Sequence, residues 1–310
     1  MRRFIIKIIL IFFPIFLSGV FLEFLLRNIP NDYKFKKEYL DKNASAIETL
    51  ILGSSHSYFG LNPDYFSSKT FNASHVSQSL NYDLEIVRKY QDKFQNLKTI
   101  ILPISYFSLF GKLEESSESW RLKSYNIYYG MYSSISLMDY SEVLSNRFDV
   151  NIKRIVSYYK HGDSALSCSK LGWGLTCNSK NAKNLIETAK TAAKRHTKDN
   201  INSEESQKTF NENILILNAI IQWCEKNNVN VMFLTLPAFE TYRHELNHEQ
   251  LQITINTISE ICSKHENCIY ENLLSDPNFV ATDFYDADHL SEIGAKKISI
   301  LINERINKWK

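Results

Sequence analysis

The chain lacks most of the motifs that mark cofactor-dependent enzymes. No C-x-x-C pair occurs, so a cysteine-built zinc site is not expected. There is no P-loop, no glycine-rich dinucleotide fingerprint and no run with metal-ligand spacing, so neither nucleotide nor metal chemistry is implied. Repeats and low-complexity tracts are absent too. The formal net charge is only +2 and the pI about 8.1, which offers no strong field for a polyanion, so no nucleic-acid partner is expected. Glycine (9) and proline (6) are scarce among 310 residues, while Lys, Asn, Ile and Ser abound, a composition bias rather than a functional signal. What remains is a chain that is 44% hydrophobic, enough for a real core in one large domain or two small ones.

The one long apolar run is at the start. Phe4 to Leu26 is almost wholly apolar, broken by the charges of Lys7 and Glu23, and Arg2 and Arg3 precede it. As a helix it is just long enough to span a bilayer. The positive flank predicts an N-terminus kept in the cytoplasm and the rest exported. No lipobox cysteine is present; Ser18 and Gly19 leave cleavage open. The terminal position and basic flank oppose a buried core helix. The expected organisation is a transmembrane signal anchor over 1–27, a polar linker over 28–47, and a periplasmic or extracellular domain over 48–310. The cysteines suit export: Cys168 and Cys177 bracket one short loop and Cys262 and Cys268 another, and either pair can close a local disulfide in an oxidising compartment. Cys224 falls inside an apolar helical pattern and reads as a buried thiol.

Beyond the linker the periodicity alternates. Glu48–Leu52, the end of a strand at Phe71, Lys98–Ile104, Asn228–Leu236 and Cys268–Tyr270 read as strands. Asn81–Phe94, Phe210–Asn227, Glu249–Ser263 and Gly294–Trp309 read as helices. The strands lack polar alternation. That predicts an α/β fold, a three-layer α/β/α sandwich with a parallel sheet covered on both faces. Chemistry in such sheets gathers at the carboxyl ends of strands, here Gly53–Ser57, Pro103–Tyr106 and Pro237–Thr241. About 111–206 breaks the alternation and reads as a mostly helical insertion, a lid or substrate platform. Its tyrosines, Ser124 to Tyr132, are either core packing or rings for stacking on sugars. The basic stretch Lys183–Lys198 reads as a solvated helix face.

Two motifs carry chemistry. Thr49–Ser57, T-L-I-L-G-S-S-H-S, is a strand running into a tight turn that presents serines; Ser54, Ser55 and Ser57 are all candidates. A serine there has a backbone N–H able to meet an oxyanion, although a serine-rich helix cap gives the same pattern. Asp283–Ala295, D-F-Y-D-A-D-H-L-S-E-I-G-A, sets His289 three residues after Asp286 and one after Asp288, ahead of a helix. A histidine can take a serine proton and a carboxylate can fix its tautomer, and either aspartate is placed to do so. A surface turn with capping acids is the plainer reading of that motif. His56, beside the serines, and His75 are possible pocket residues, while His161, His196, His244, His248 and His265 lie in polar contexts and read as surface residues.

Together the two motifs resemble the SGNH/GDSL hydrolase superfamily, over roughly Thr49 to Trp309 without the insertion. The resemblance makes Ser55 the nucleophile, His289 the base and Asp286 the orienting acid. The middle blocks depart from the family pattern. N-A-S-H-V-S, Asn72 to Ser77, stands where the family has N-x-G-x-x-G, and P-I-S-Y, Pro103 to Tyr106, where it has G-x-N-D. Carried over, the oxyanion hole is made by Ser55, Ser77 and Ser105, with Asn72 lining the pocket. The anchor and the divergent blocks are similar to exported envelope proteins of the alginate-acetylation and teichoic acid D-alanyl-transfer kind. That implies serine-dependent acyl transfer, such as O-acetyl transfer, or ester hydrolysis on an envelope glycan or acylated polymer, with no cofactor and with a membrane acyltransferase as a candidate partner. Two other readings stay open: a small-ester lipase or esterase, and a non-catalytic glycan-binding or assembly protein using the same cleft.

Overall fold

Each apolar run read as a strand is one in the structure, a computed structural model that describes residues 1–131 and 133–309; Tyr132 and Lys310 lie outside the described residues. The strands are β1 (Thr49–Ile51), β2 (Thr70–Asn72), β3 (Thr99–Pro103), β4 (Asn230–Thr235) and β5 (Cys268–Asn272). They form one sheet in the order β2-β1-β3-β4-β5, every pair parallel. Leu50 lies opposite Phe71 on one side and Ile100 on the other, and Ile100 opposite Val231.

The helices are α1 (Arg2–Asn28), α2 (Asp32–Asn43), α3 (Ser55–Gly60), α4 (Leu80–Tyr90), α5 (Leu122–Ser124), α6 (Phe148–His161), α7 (Leu185–His196), α8 (Glu204–Lys226), α9 (Glu240–His244), α10 (His248–Ser263) and α11 (Glu292–Trp309). On one face of the sheet Ile51, Ile101, Met232 and Leu234 pack in one cluster with Ile298, Ile302 and Ile306 of α11. Side chains alternate along a strand. Leu50, Ile100, Val231 and Phe233 therefore face the other way, and they too are fully buried, on the side where α8 meets both β4 and α4. Covering on both faces is why these strands carry no polar alternation. Each buried Leu, Ile or Phe contributes about 1.5–3 kcal/mol.

The chain divides into two compact units. The first comprises Met1–Lys37 and Ser117–Leu166, the second Glu38–Ser116 and Ser167–Lys310. The stretch read as a linker is mostly helix α2, in which Lys36 and Leu40 are buried.

In the first unit α1 is long and apolar enough to cross a membrane, and its large side chains from Phe4 to Phe24 are largely exposed. The tyrosines considered as a sugar platform mostly form the core of this unit. Tyr125 and Tyr129 are buried, Tyr33 meets Tyr125 edge-on at 5.1 Å, and Tyr128 donates to Glu142 (2.8 Å). Glu142 also takes Lys123 and Arg154, so that core is polar at its heart.

The second unit holds the sheet. The remainder of the expected insertion belongs to it. The loop around Trp173 clamps α3: Trp173 Nε1 donates to the Phe59 carbonyl (2.7 Å) and the Gly174 N–H to that of Tyr58 (2.8 Å). Helix α7 turns Ala189, Ala192 and Ala193 onto Tyr242 and Ala287 and leaves Lys190 and Lys194 in solvent, as a solvated basic face does. Neither expected disulfide is formed among the described residues. A hydrogen bond with the Cys262 thiol, together with burial, pushes the Cys268 thiol well up, and burial does the same for Cys177. Cys224 is fully buried on α8, as its apolar setting implies.

Candidate active site

In a parallel sheet of this order, successive crossovers run in opposite directions on either side of β1. Between β1 and β3 the loops diverge and leave a crevice beyond the carboxyl ends. The G-S-S-H-S turn opens into that crevice. Gly53 has a φ of +103°, a conformation glycine adopts freely, and an added Cβ would stand 2.5 Å from Ser57 Oγ. Ser54 caps α3 with its carbonyl, which accepts from the N–H groups of Ser57 and Tyr58 (both 3.0 Å). Ser57 is fully buried. Ser55 is the first residue of the helix, so its N–H has no partner within it.

Of the three serines, Ser55 meets the second motif. His289 Nε2 is 2.9 Å from Ser55 Oγ, and His289 Nδ1 is 2.9 Å from Asp286 Oδ1. Asp286 Oδ1 also accepts from the backbone N–H groups of His289 (2.8 Å) and Asp288 (3.2 Å). One carboxylate oxygen thus shapes the turn and aims the ring. The turn is closed by Tyr285 N–H to the His289 carbonyl (2.9 Å) and by Ser291 N–H to the Asp283 carbonyl (2.8 Å). Gly294 follows, so close to the Asp283 carbonyl that a Cβ would collide with it. The chain parts at 49–57 and 283–295 are therefore brought to one point, with serine, imidazole and carboxylate in hydrogen-bond order.

Asp288 plays a different part. Its carboxylate lies 3.4 Å from both His289 Nδ1 and His56 Nε2, 3.8 Å from His196 Nδ1 and 3.7 Å from the half-exposed Arg195 guanidinium. Burial works against its charge, but the His289 and His56 rings overcome this and hold the carboxyl well below its usual range. Burial also opposes charge on His289, yet the Asp288 and Asp286 carboxylates outweigh it and raise that imidazole to about 10. His56 is lowered by burial, and burial holds His196 well below its usual value. One charged imidazole thus sits among neutral ones.

Ser105, from the end of β3, bonds to His56 Nδ1 (2.8 Å). A carboxylate only accepts, so a neutral His56 facing Asp288 carries its proton on Nε2 and leaves Nδ1 bare. In that tautomer the Ser105 hydroxyl donates to His56 Nδ1. Ser77 has a φ of +60°, in the region that favours glycine. His75 is buried within the same loop. Asn72 is fully buried: its amide donates to the carbonyls of Ser57 and Leu61 (both 2.9 Å) and its oxygen accepts from Ser74, so it braces α3 from beneath.

Two contributors escaped the sequence reading. His196, read as a surface residue, has its ring 4.2 Å from that of Phe107 and its Nδ1 2.8 Å from Tyr242 Oη. The signal was available: Ala189, Ala192, Ala193 and His196 follow helical spacing on one face of α7. The other is Asp83 on α4. It accepts from the Gly53 N–H (2.7 Å) and from Gln78 Nε2 (2.6 Å), tying the serine turn to the residue after Ser77. Its other oxygen is buried with no hydrogen-bond partner among the described residues. Burial raises its carboxyl to about 7 against the pull of those two donors.

A carboxyl raised in the folded state binds its proton more tightly there than when unfolded. Its contribution to stability is therefore greatest below the unfolded value near 3.8 and is lost as pH rises through about 7. Asp83→Asn keeps an acceptor for Gly53 and removes the titration. The variant is expected to gain stability relative to the parent from pH 5 to pH 8, by about 2–3 kcal/mol. Urea unfolding followed by near-ultraviolet circular dichroism at both pH values measures the difference; an equal gap at the two would disprove it.

No protein-family model matches the chain, and no curated protein matches it. Solved structures do. A Streptococcus pneumonia protein provisionally assigned as a platelet activating factor has a TM-score of 0.44 and 13% identity, over 89% of this chain and 92% of its own. A Bacteroides fragilis protein provisionally assigned as an acylhydrolase has a TM-score of 0.39 and 12% identity, over 88% and 95%. A GDSL-like lipase from Bacteroides thetaiotaomicron has a TM-score of 0.38 and 11% identity, over 89% and 98%. Likenesses this distant do not say which residues react.

Proposed function

We propose that the chain is a membrane-anchored serine acyltransferase or esterase of the SGNH kind, with its catalytic unit outside the cytoplasm and an envelope glycan as substrate. One observation carries this reading: Ser55, His289 and Asp286 stand in hydrogen-bond order at the crevice of a parallel sheet. A protein that only bound glycan would need no such order. The apolar α1 with Arg2, Arg3 and Lys7 at its start favours an anchor with a cytoplasmic N-terminus.

The chemistry follows from the positions. His289 Nε2, when unprotonated, takes the proton of Ser55 as Oγ attacks the acyl carbonyl carbon. The Ser55 N–H, and that of Ser77 in its glycine-like conformation, serve the developing oxyanion. The imidazolium returns the proton to the departing oxygen. The acyl group on Ser55 then passes to a sugar hydroxyl or to water, with His289 again the base. Asp286 holds the ring throughout.

The test uses the full chain in detergent at alkaline pH with p-nitrophenyl acetate as donor and oligosaccharides as acceptors. Nitrophenol release is expected, and mass spectrometry should show acetyl groups on an oligosaccharide for transfer, or free acetate alone for hydrolysis. No release from a folded chain at pH 9 would overturn catalysis in favour of glycan binding.

A further inference from the structure

The first unit has an apolar surface that its own core does not use. Ile135, Leu137, Met138, Leu144 and Phe148 are all exposed, Ile135 completely. They lie within a short stretch, on the turn Leu137–Tyr140 and up to the start of α6. In water, so many large apolar side chains on one short stretch mark a site of contact.

The fold fixes where this stretch sits along α1. Glu23 of α1 accepts from Ser141 Oγ (2.7 Å) and from the backbone N–H groups of Glu142 (3.0 Å) and Val143 (2.9 Å). Arg27, paired with Glu23 at 2.6 Å, donates to the Tyr140 carbonyl (2.6 Å). Tyr159 of α6 donates to the Leu25 carbonyl (3.1 Å). Every one of these bonds falls in the last turns of α1. Large side chains on α1 are exposed up to Phe24, whereas Leu26 is fully buried. At a rise of about 1.5 Å per residue, Phe4 to Phe24 measures roughly 30 Å, the hydrocarbon thickness of a bilayer. The clamped loop therefore comes at the residue where the bare part of the helix ends.

We propose that residues 135–148 form an apolar foot that enters the outer leaflet of the membrane beside α1. The occupant of the patch is lipid, because the patch continues an apolar helix surface across a boundary that α1 itself sets. Glu23 and Arg27 spend their charges on the loop rather than in lipid. Arg147 and Asp149 pair with each other at 3.0 Å at the edge of the patch, suited to a headgroup layer. The foot adds a second membrane contact to the span and fixes the tilt and rotation of the first unit at the surface. This inference rests on the reading of α1 as a membrane span.

The test reconstitutes the full chain in phosphatidylcholine vesicles containing a phospholipid with a diazirine on its acyl chain. After photolysis, adducts are mapped by mass spectrometry. Adducts are expected on α1 and on 135–148, with none on the buried core of the same unit at Tyr125 and Tyr129. Adducts on α1 alone would overturn the foot and leave the anchor standing. Absence of adducts on α1 would instead overturn the anchor, and the foot with it. Adducts on Tyr125 and Tyr129 as well would mean indiscriminate capture and would also overturn the foot.

Discussion

On the proposed function, Ser55→Ala is expected to abolish covalent labelling by a fluorophosphonate and to lower ester turnover by about 10⁵–10⁶-fold, the loss seen when a nucleophile that works with its base as a unit is removed. His289→Ala should fall to the same level and the double variant no further, because either loss would stop the same step. The neighbouring serines are the discriminating controls. Ser54 acts as a cap through its carbonyl, not its hydroxyl, and the Ser57 hydroxyl is buried with no hydrogen-bond partner among the described residues. Ser54→Ala and Ser57→Ala should therefore change turnover by less than about tenfold, as changes that leave the reacting atoms in place do. Mass spectrometry of the labelled chain at pH 9, where more of His289 is unprotonated, locates the adduct. An adduct on Ser54 or Ser57, or none on a folded chain, would sink the assignment of Ser55.

That control matters because the sequence left the choice among the serines to the resemblance alone. The turn at Gly53 and the helix after it were legible, since a buried apolar run must stop somewhere and glycine allows the sharp exit. The parallel sheet was legible for the same reason, because strands such as Thr99–Pro103 are apolar on both faces. What the residues could not show is which hydroxyl points across the crevice. That depends on the helical phase of α3, set by Asn72 and by the Trp173 clamp, both distant in sequence. Asp83 was hidden because a single acid on an amphipathic helix looks solvated until α4 is docked. The α2 segment was misread because its lysines and acids mask the few residues that bury, Leu40 among them. His196 is the opposite case. Its alanine stripe was present, and the surrounding lysines drew the reading toward the surface.

The two aspartates of the D-A-D-H turn should separate in a pH profile. Asp286 is the nearer to His289 Nδ1, at 2.9 Å against 3.4 Å, and it also receives two backbone N–H groups. Asp288 is the more deeply buried side chain and supplies the larger share of the field that raises His289 to about 10. Orientation and charge are thus divided between them. A base must be unprotonated to act, so with His289 in the proposed role the acid limb of kcat/KM is expected to follow its raised pKa and to lie well on the alkaline side. Asp288→Asn removes a negative charge next to the ring. The limb should shift toward lower pH by about 1–3 units, the range for one opposite charge at this distance. Its high-pH plateau should fall only modestly, because Asp286 still sets the tautomer. Asp286→Asn should instead lower the plateau by about 10⁴-fold, as when an orienting acid is replaced by an amide that favours the wrong tautomer. The profiles of the parent and both variants, taken from pH 6 to pH 10.5 on p-nitrophenyl acetate, distinguish the two roles. A plateau loss in Asp288→Asn as large as that in Asp286→Asn, with no shift of the limb, would reverse the assignment and make Asp288 the acid that holds the imidazole.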